Sequence, residues 1–595
     1  MSMLYNSLAT KTISKELYDQ CCPKYQKLIK ELEEKDADSA RHNYNHDDPS
    51  KEPTEIILKF SDNYLTPNKY WEQCVNTIVV LEPKPIGWEK RYHKVLAIAR
   101  KHFYFHTRTN EDFFSKIDNH SKMLIEYEED RDESGHYYSI DENDLCYPHN
   151  CLKKCFRHFE KYSLRLPSTN VIKKYEEMKT LYTKIKADEK DAGKWIKCLK
   201  EFGNDTFLLN NVEYRLGKNL MDINLWKTYM AFLKEDGKFQ RLLETYSKYC
   251  RFFLDDKEMK EVYKSEMLKY GSVNLQWKNL FDFEIFGGEL NPEKDFDGNE
   301  KSDEDEYMDE EDVESDTDCD MKDIEQIDKN IYSTFYDKFH IQSFHFRESL
   351  IHYILKNANY RLLRKLFFSC KYFFSKQPTP ICYRLKMDSE ECFEDESIVV
   401  KLSSNLKLFF NDTYITGCID INKSEEPVSK FISNLIPRLY RCEAKYINLV
   451  DQNLSFEELK SLIKHGGVVE LDLRSSRIID ENKDYILLQE ITAFLPNIEK
   501  LRLKQIKTNA YTAHVLANQK FNSKINNLFI DKICGEPFDS DQFLNYLIAN
   551  RDQHIWLNMC FDETFEDLVF IGTFKKIMED YAMPFKKMFM YISYN

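Results

Sequence analysis

Apolar side chains recur every three or four positions through the first half of the chain, which is the spacing of a helix with one buried face. The clearest segment has four large apolar residues on one helical face: Trp226, Tyr229, Phe232 and Leu233. A break at Asp236 and Gly237 follows, and a second apolar face covers residues 242–250. The pattern therefore predicts two helices joined by a short turn, each with a face to bury.

Beyond residue 381 the spacing becomes that of short strands. Apolar runs recur at 446–450 (YINLV), 469–473 (VELDL), 500–503 (KLRL), 527–530 (NLFI) and 555–557 (IWL). Their apolar centres lie 24, 30, 27 and 27 positions apart, and helical segments such as SFEELKSLIKHG fall between them. A strand followed by a helix at this interval is typical of leucine-rich repeats, and the phrase LPNIEKLRL is similar to their helix-to-strand junction.

Leucine-rich repeats bind partner proteins on the face formed by their strands, so this resemblance implies such a face here. Polar strand positions next to buried ones are the candidates to line it, because strand side chains alternate between the two faces. Five residues meet this criterion: Asn448, Asp472, Arg474, Arg502 and Lys504.

A recurrent tryptophan pattern marks the helical half. In WKNLFDFE, Trp277 is followed by an apolar residue at +3, an aromatic residue at +6 and Glu284 at +7. This is similar to the first helix of half-a-TPR (HAT) repeats, and 226–233 matches it except for a leucine in place of the glutamate. Weaker matches surround Trp88 and Trp195. The resemblance implies stacked helix pairs packed through these residues: Trp88, Trp226, Tyr229, Phe232, Trp277, Leu280, Phe283 and Glu284.

The HAT resemblance covers about residues 65–290 and implies a function in RNA processing. HAT proteins are scaffolds of splicing, 3′-end formation and ribosome assembly. The arrangement looks most like the pre-mRNA-processing factor thirty-nine group, which supports the snRNP that selects 5′ splice sites. The spacing is irregular, with 31 residues from Trp195 to Trp226 and 51 from Trp226 to Trp277, so an ordinary domain of amphipathic helices is the alternative.

Residues 346–374, FRESLIHYILKNANYRLLRKLFFSCKYFF, predict two short amphipathic helices. Their close is similar to that of an F-box, although the Leu-Pro opening of that motif is absent. With the repeats that follow, residues 340–595 resemble the nematode F-box-related families. The resemblance implies binding to the adaptor subunit of a cullin ubiquitin ligase through Leu350, Ile354, Leu363, Leu366 and Cys370. A helical hairpin that caps the next domain is the alternative.

An acidic run divides the two halves. Of the 34 residues at 295–328, 18 are Asp or Glu and two are Lys. So few apolar residues cannot offset the entropy lost on ordering, and we expect a disordered linker. Three hydroxyl residues lie among the acids in contexts that suit an acid-directed kinase: Ser302, Ser315 and Thr317. Phosphorylation there would extend the linker further by self-repulsion.

The net charge of the 595-residue chain is −16, and the acidic run accounts for all of it. The remainder is neutral and has no Arg-rich stretch or RRM, KH or zinc-knuckle pattern, so we expect RNA association only through partner proteins. The 16 cysteines and the lack of a secretory leader predict a reduced compartment, the nucleus or alternatively the cytoplasm. No apolar run has membrane-spanning length, and we expect no membrane contact.

The sequence has no recognisable catalytic motif. It lacks a P-loop, a G-x-G-x-x-G after a strand, a G-x-S-x-G elbow and H-E-x-x-H, so we expect no enzyme activity and no cofactor. One group has ligand types that suit Zn²⁺: Cys146, His149, Cys151, Cys155 and His158. Because it lacks the second paired knuckle of a finger, a helix with small thiols facing its core is the preferred interpretation, and no metal is predicted.

These patterns together predict a multidomain chain with an all-α, HAT-like N-terminal half and an α/β, leucine-rich-repeat-like C-terminal half. The predicted divisions are a charged, partly disordered region at 1–64, a HAT-like domain at 65–290, the acidic linker at 291–330, the F-box-like segment at 340–380 and the repeat domain at 381–595. We expect a non-enzymatic scaffold linked to nuclear pre-mRNA splicing, with a ubiquitin-ligase substrate adaptor as the alternative. The expected partners are snRNP or other RNA-processing proteins, or the cullin-ligase adaptor subunit, and a homodimer is left open.

Overall fold

The structure is a computed structural model. It describes residues 12–42, 51–80, 88–105, 124–126, 140, 142–271, 273–286, 345–388, 392–394, 397–401, 411–421, 429–565, 567–583 and 588–594. The chain divides into two compact units, Met1–Phe156 with Thr169–Asp309 and Arg157–Ser168 with Glu310–Asn595. These are called the first unit and the second unit.

The first unit contains only helices and loops in its described residues. The helices are α1 (Lys15–Gln20), α2 (Pro23–His42), α3 (Lys51–Ser61), α4 (Asn68–Val80), α5 (Trp88–Lys101), α6 (Leu152–Tyr162), α7 (Thr169–Ala187), α8 (Ala192–Lys200), α9 (Asp205–Lys218), α10 (Ile223–Glu235), α11 (Phe239–Cys250), α12 (Lys257–Tyr270) and α13 (Asp282–Phe286), with a 3-10 turn at Asn143–Leu145. From Arg157 onward, the residues of α6 belong to the second unit.

Local signals set the ends of the predicted helix pair. Helix α10 begins after Asp222, whose carboxylate accepts a 3.0 Å hydrogen bond from the Leu225 amide. Asp236 follows its last residue, and Gly237 takes a positive φ of 74°, a conformation that a side chain would strain. Helix α11 then begins at Phe239, so the two predicted helices and the break between them are confirmed.

Helices α7 to α12 each pack against their neighbours in the chain, and α8 also contacts α10. Their apolar faces contribute to one hydrophobic core, whose members include Tyr25, Trp71, Trp195, Trp226 and Trp277. A helical N-terminal half is therefore confirmed.

The second unit is built on a parallel sheet. Its strands are β1 (Ile381–Asp388), β2 (Cys392–Glu394), β3 (Ser397–Lys401), β4 (Thr413–Ile421), β5 (Leu439–Cys442), β6 (Tyr446–Leu449), β7 (Asn453–Ser455), β8 (Glu470–Asp472), β9 (Arg477–Ile479), β10 (Lys500–Thr508), β11 (Ile525–Gly535), β12 (Arg551–Phe561) and β13 (Met588–Tyr594). The main sheet has the order β13-β12-β11-β10-β8-β6-β4-β1-β3-β2, with β5 beside β4, and β7 pairs with β9 separately. Every described pairing is parallel except β2 with β3.

Helices alternate with these strands. They are α14 (Glu348–Asn357), α15 (Tyr360–Ser369), α16 (Lys371–Lys376), α17 (Phe431–Leu435), α18 (Phe456–Ile463), α19 (Leu488–Thr492), α20 (Thr512–Asn518), α21 (Ser540–Asn550) and α22 (Leu568–Ala582), with a 3-10 turn at Ile436–Arg438. Helix α18 begins with a capping box, in which Ser455 and Glu458 satisfy each other's backbone amides. Strand residues such as Leu471 and helix residues such as Leu459 share one core, which lies between the sheet and its helices.

Each of the five apolar runs predicted as strands overlaps a strand: β6, β8, β10, β11 or β12. A C-terminal parallel sheet with helices is therefore confirmed. The pattern missed the other described strands, including the long strands β1, β4 and β13. In β4 all nine residues are buried, so its side chains lack the alternation that identifies a strand in a sequence. Among the described helices, none has the length and apolar content needed to span a bilayer.

Candidate functional site

One face of the main sheet is turned away from the apolar core, and polar and aromatic side chains line it. Residues paired across the strands form two rows on this face. The first row is Cys418, Tyr446, Glu470, Lys500, Asn527, Trp556 and Phe589. The second row is Asp420, Asn448, Asp472, Arg502, Phe529, Asn558 and Tyr591. We call this surface the polar face.

A segment from much earlier in the chain lies on the polar face. Residues Arg157–Ser168, here called the docking segment, belong to the second unit. Glu160 in this segment is only 4% exposed. Its Oε2 accepts a 2.7 Å hydrogen bond from the Tyr446 hydroxyl, and its carboxylate pairs with Lys445 and, at 3.4 Å, with Arg157. A buried carboxylate is costly unless it is paired and hydrogen-bonded, and these three partners meet that need.

Two further ion pairs attach the docking segment to the sheet. Lys161 lies 2.7 Å from Glu470, and Arg157 lies 3.2 Å from Glu499. Burial favours the neutral form of Glu470, but Lys500 and Lys161 outweigh it and hold the pKa of that carboxyl below its ordinary value. Glu470 is therefore ionised at neutral pH, and its attraction for Lys161 is present under ordinary conditions.

Side chains of β1 bind the main chain of the docking segment. The Tyr383 hydroxyl donates to the Glu160 carbonyl at 2.7 Å, and the Arg384 guanidinium donates to the Tyr162 carbonyl at 3.2 Å. A Cβ atom at Gly417 would lie 2.5 Å from the Tyr383 ring, so a glycine is needed for Tyr383 to lie there. The segment is thus held by both its side chains and its backbone.

The five residues predicted to line a partner-binding face lie on or beside the polar face: Asn448, Asp472, Arg474, Arg502 and Lys504. Four of them form a hydrogen bond or an ion pair with another residue of this region. The Asn448 amide donates to Asp420 at 2.8 Å, and Asp472 pairs with Arg474 at 3.1 Å and Arg502 at 3.6 Å. Burial raises the pKa of Asp472, which the two arginines oppose. This part of the face is an ordered charge network.

On β11, β12 and β13, several positions of the same two rows are occupied by aromatic side chains. Trp556, Phe589 and Tyr591 are 48%, 52% and 57% exposed, and the first two rings lie 6.1 Å apart. The Arg502 guanidinium lies 4.5 Å from the centre of the Phe529 ring. Exposed aromatic rings beside an arginine are the composition that protein interfaces favour. This surface was not predicted from the sequence. Side chains alternate between the two faces of a strand, so within IWL the buried Ile555 and Leu557 place Trp556 on the opposite, exposed face.

The predicted F-box-like contact residues differ in exposure. Leu363 is fully buried and packs in a small cluster with Tyr414, so we assign it to packing. Leu350 is 43% exposed. The others are half-buried: Ile354, Leu366 and Cys370. Sequence reasoning missed the most exposed apolar side chain of these helices, Phe368, at 79%.

The predicted repeat-packing residues lie mostly in the core of the first unit. Trp226 and Tyr229 are fully buried. The Trp226 indole N–H donates to the Leu220 carbonyl at 2.9 Å, and its ring lies 5.6 Å from those of Phe103 and Tyr249. The remaining predicted residues are the half-buried Phe232 and Phe283, the 39% exposed Leu280, and Trp88, whose side chain lies outside the described residues.

The prediction of a repeat helix beginning at Trp277 is wrong, because α13 covers only Asp282–Phe286. Glu284 accounts for the difference. Its carboxylate pairs with Arg251 at 2.7 Å, fully buried, and accepts a hydrogen bond from the Phe281 amide at 2.7 Å. Because the Glu284 carboxylate binds the amide of Phe281, just before α13, it caps the start of this short helix. Glu284 therefore does not extend a helix that begins at Trp277.

The Cys/His group that has ligand types suited to Zn²⁺ is not brought together as a set of metal ligands. Within the ranges that the structure describes, no set of three His, Cys, Asp or Glu residues is placed to hold a metal ion. His149 Nε2 instead lies 2.9 Å from the Asp144 carbonyl, and burial lowers the pKa of His149 to about 4. Its thiol neighbours Cys151 and Cys155 are half-buried.

The acidic run and its hydroxyl residues Ser302, Ser315 and Thr317 lie outside the described residues. A search of protein-family models finds no match to this chain, and a search of curated proteins finds none either. Evidence for the function therefore comes from the residues and from the geometry of the two units.

Proposed function

We propose that this chain is a non-enzymatic protein-interaction scaffold that acts in nuclear pre-mRNA splicing. The observation that supports this is the position of Trp226. Its buried indole contacts Phe103 and Tyr249, which lie outside its own helix, as expected of a residue that joins stacked helices. The resemblance of its sequence to HAT repeats then indicates the snRNP that selects 5′ splice sites as the partner. RNA is reached through these proteins.

The test is affinity purification of the full-length protein from cells, with and without ribonuclease, followed by mass spectrometry. Proteins of that snRNP should copurify in both samples, because the contacts are between proteins. A purification without snRNP or other RNA-processing proteins would refute the splicing proposal. Recovery only in the sample without ribonuclease would refute protein-mediated binding.

A second function, that of a substrate adaptor for a cullin ubiquitin ligase, is favoured by the apolar surface of α14 and α15. These two helices bury Ile351 and Leu363 in a small cluster with Tyr414 of β4. On and just before them, other large apolar side chains remain exposed: Phe346, Leu350, Tyr353, Leu362 and Phe368, at 62%, 43%, 65%, 43% and 79%. A group of exposed apolar side chains of this size is expected where a partner binds.

Binding of the full-length protein to the purified cullin adaptor subunit tests the second function. We expect the wild-type protein to bind and Leu350→Asp with Leu362→Asp to abolish binding, because both side chains are exposed and their loss leaves the core intact. The matched control is Leu568→Asp with Val569→Asp, at positions 59% and 80% exposed on α22. Absence of wild-type binding, or equal loss in the control, would refute the adaptor function.

In the adaptor function, the aromatic part of the polar face is the surface for the target protein. Trp556, Phe589 and Tyr591 offer large rigid side chains there. Trp556→Ala should weaken capture of target proteins without affecting binding of the cullin adaptor subunit, since the exposed ring contributes to neither the sheet core nor α14 and α15.

A further inference from the structure

The first unit contains a cavity of about 210 Å³ beside the loop that precedes α13. Seven residues line it: Lys101, Glu244, Lys248, Asn274, Leu275, Gln276 and Trp277. The Trp277 wall is fixed in place, because its indole N–H donates to the Ser247 hydroxyl at 3.0 Å and its ring packs edge-on against His102 at 5.4 Å. A preformed wall can receive a ligand with little rearrangement.

Lys248 is the unusual member of the lining. Within the described parts of the chain, its ammonium forms no hydrogen bond and no ion pair, and it lies 4.3 Å from the centre of the Phe103 ring. Glu244, one helical turn earlier, is not paired with it within 4.0 Å. Burial lowers the pKa of Lys248, opposed by Glu213 and Glu244. Lys248 is half-buried, and among the described residues no carboxylate lies within ion-pair distance of its ammonium.

The charge of the lining restricts which ligand would fit. Lys101 and Lys248 outnumber Glu244, so the lining is positive by one charge. His102, behind Trp277, adds none, because burial lowers its pKa to about 3. One excess positive charge balances a single carboxylate, whereas a phosphate dianion would leave the site with a net negative charge.

We propose that this cavity binds a carboxylate side chain of an acidic peptide segment, with Lys248 as its ion-pair partner. A bound carboxylate would place an opposite charge beside the ammonium of Lys248 and so favour its charged form. Asn274 and Gln276 offer amide donors to the same ligand. Two sources have this chemistry, the acidic run of this chain at 295–328 and an acidic segment of another protein. The cavity belongs to the first unit and the polar face to the second, and the inference does not rest on the proposed function.

The probe is a labelled peptide with the sequence of residues 302–317, SDEDEYMDEEDVESDT, titrated with the full-length protein and followed by fluorescence anisotropy. The control peptide has Asn and Gln in place of every Asp and Glu. We expect saturable binding of the acidic peptide alone. Lys248→Met should weaken it at least tenfold, and Glu244→Gln should tighten it severalfold because it removes a like charge. Lys264→Met, at an exposed position on α12, is the matched control and should leave affinity unchanged.

Thermal melting of each variant checks that it folds. Absence of saturable binding, equal affinity for the amide peptide, or equal loss in the Lys248 and Lys264 variants would overturn the proposal. Misfolding cannot explain tighter peptide binding by the Glu244→Gln variant. That variant therefore still tests the proposal if the Lys248→Met variant is unstable. A full-length variant with its own acids at 303–316 replaced by amides identifies the source. If this variant binds the probe more tightly than the wild type does, the acidic run of the chain itself normally competes for the cavity. If its affinity is unchanged, the natural ligand is an acidic segment of another protein. Both results support the site.

Discussion

The hydroxyl of Tyr446 donates a 2.7 Å hydrogen bond to Glu160, which lies 286 positions earlier in the chain. Removing the buried carboxylate would take a partner from Arg157, from Lys445 and from the Tyr446 hydroxyl, although Arg157 would keep Glu499. We therefore expect Glu160→Ala to destabilise the second unit by about 3 kcal/mol and Tyr446→Phe by about 1 kcal/mol. Hydrogen exchange of the amides in β6, β8 and β10 measures this within the full-length chain.

Glu490, exposed on α19, provides the matched control for the removal of one carboxylate. Glu490→Ala should change the same exchange rates by less than about 0.5 kcal/mol. If Glu160→Ala were equally mild, the docking segment would not contribute to the stability of the second unit.

The buried pair of Arg251 and Glu284 leads to a prediction in the first unit. Either single change, Arg251→Met or Glu284→Leu, leaves one buried charge unpaired and should cost about 3 to 5 kcal/mol. The double variant removes both charges and should be more stable than either single variant. Urea denaturation of the three variants gives the comparison, and a double variant that is the least stable of them would contradict it.

The contribution of Glu284 to the free energy of unfolding should depend on pH. Burial raises the pKa of Glu284, but Arg251 outweighs burial and holds it below the ordinary value of 4.5. Below pH 4.5 the unfolded chain therefore takes up a proton at this group before the folded chain does, and stability falls with falling pH. Glu284→Gln should flatten the denaturation profile below pH 4.5 and leave its slope above that pH unchanged.

His102 leads to a prediction for a higher pH range. Its Nδ1 accepts a hydrogen bond from the Thr66 amide at 3.1 Å, and burial lowers its pKa from 6.5 to about 3. The unfolded chain binds this proton first, so stability should fall by up to about 1.4 kcal/mol per pH unit from pH 6.5 downward. In urea denaturation, His102→Asn should reduce that slope, whereas His93→Asn, at an exposed position on α5, should not.

Two adjacent leucines on α15 should respond very differently to the same substitution. Leu363 is fully buried, and Leu363→Ala should cost about 2 to 5 kcal/mol through the cavity it leaves. Leu362 is 43% exposed, and Leu362→Ala should cost less than about 0.5 kcal/mol. Chemical denaturation of the full-length variants measures both. Equal costs would show that the Leu363 pocket is not formed in solution.

Periodicity along the chain was enough to predict the helix pair α10 and α11 and the strands β6, β8, β10, β11 and β12. These elements have one buried and one exposed face, so their side-chain pattern repeats every 3.6 or two residues. The same reasoning failed for β4, which is buried on both faces, and at Trp277, where Glu284 binds Arg251 and the Phe281 amide in place of the predicted helical contacts.

The docking segment and the lack of an ion pair at Lys248 among the described residues are features that the tertiary structure alone decides. Nothing near Glu160 in the sequence indicates that its partners are Lys445 and Tyr446, because side-chain pairing depends on distance in space. Which carboxylates of the described helices come within reach of Lys248 likewise depends on how those helices pack. Local patterning thus specifies which segments become helices and strands, whereas charge pairing between residues far apart in the sequence depends on the tertiary structure.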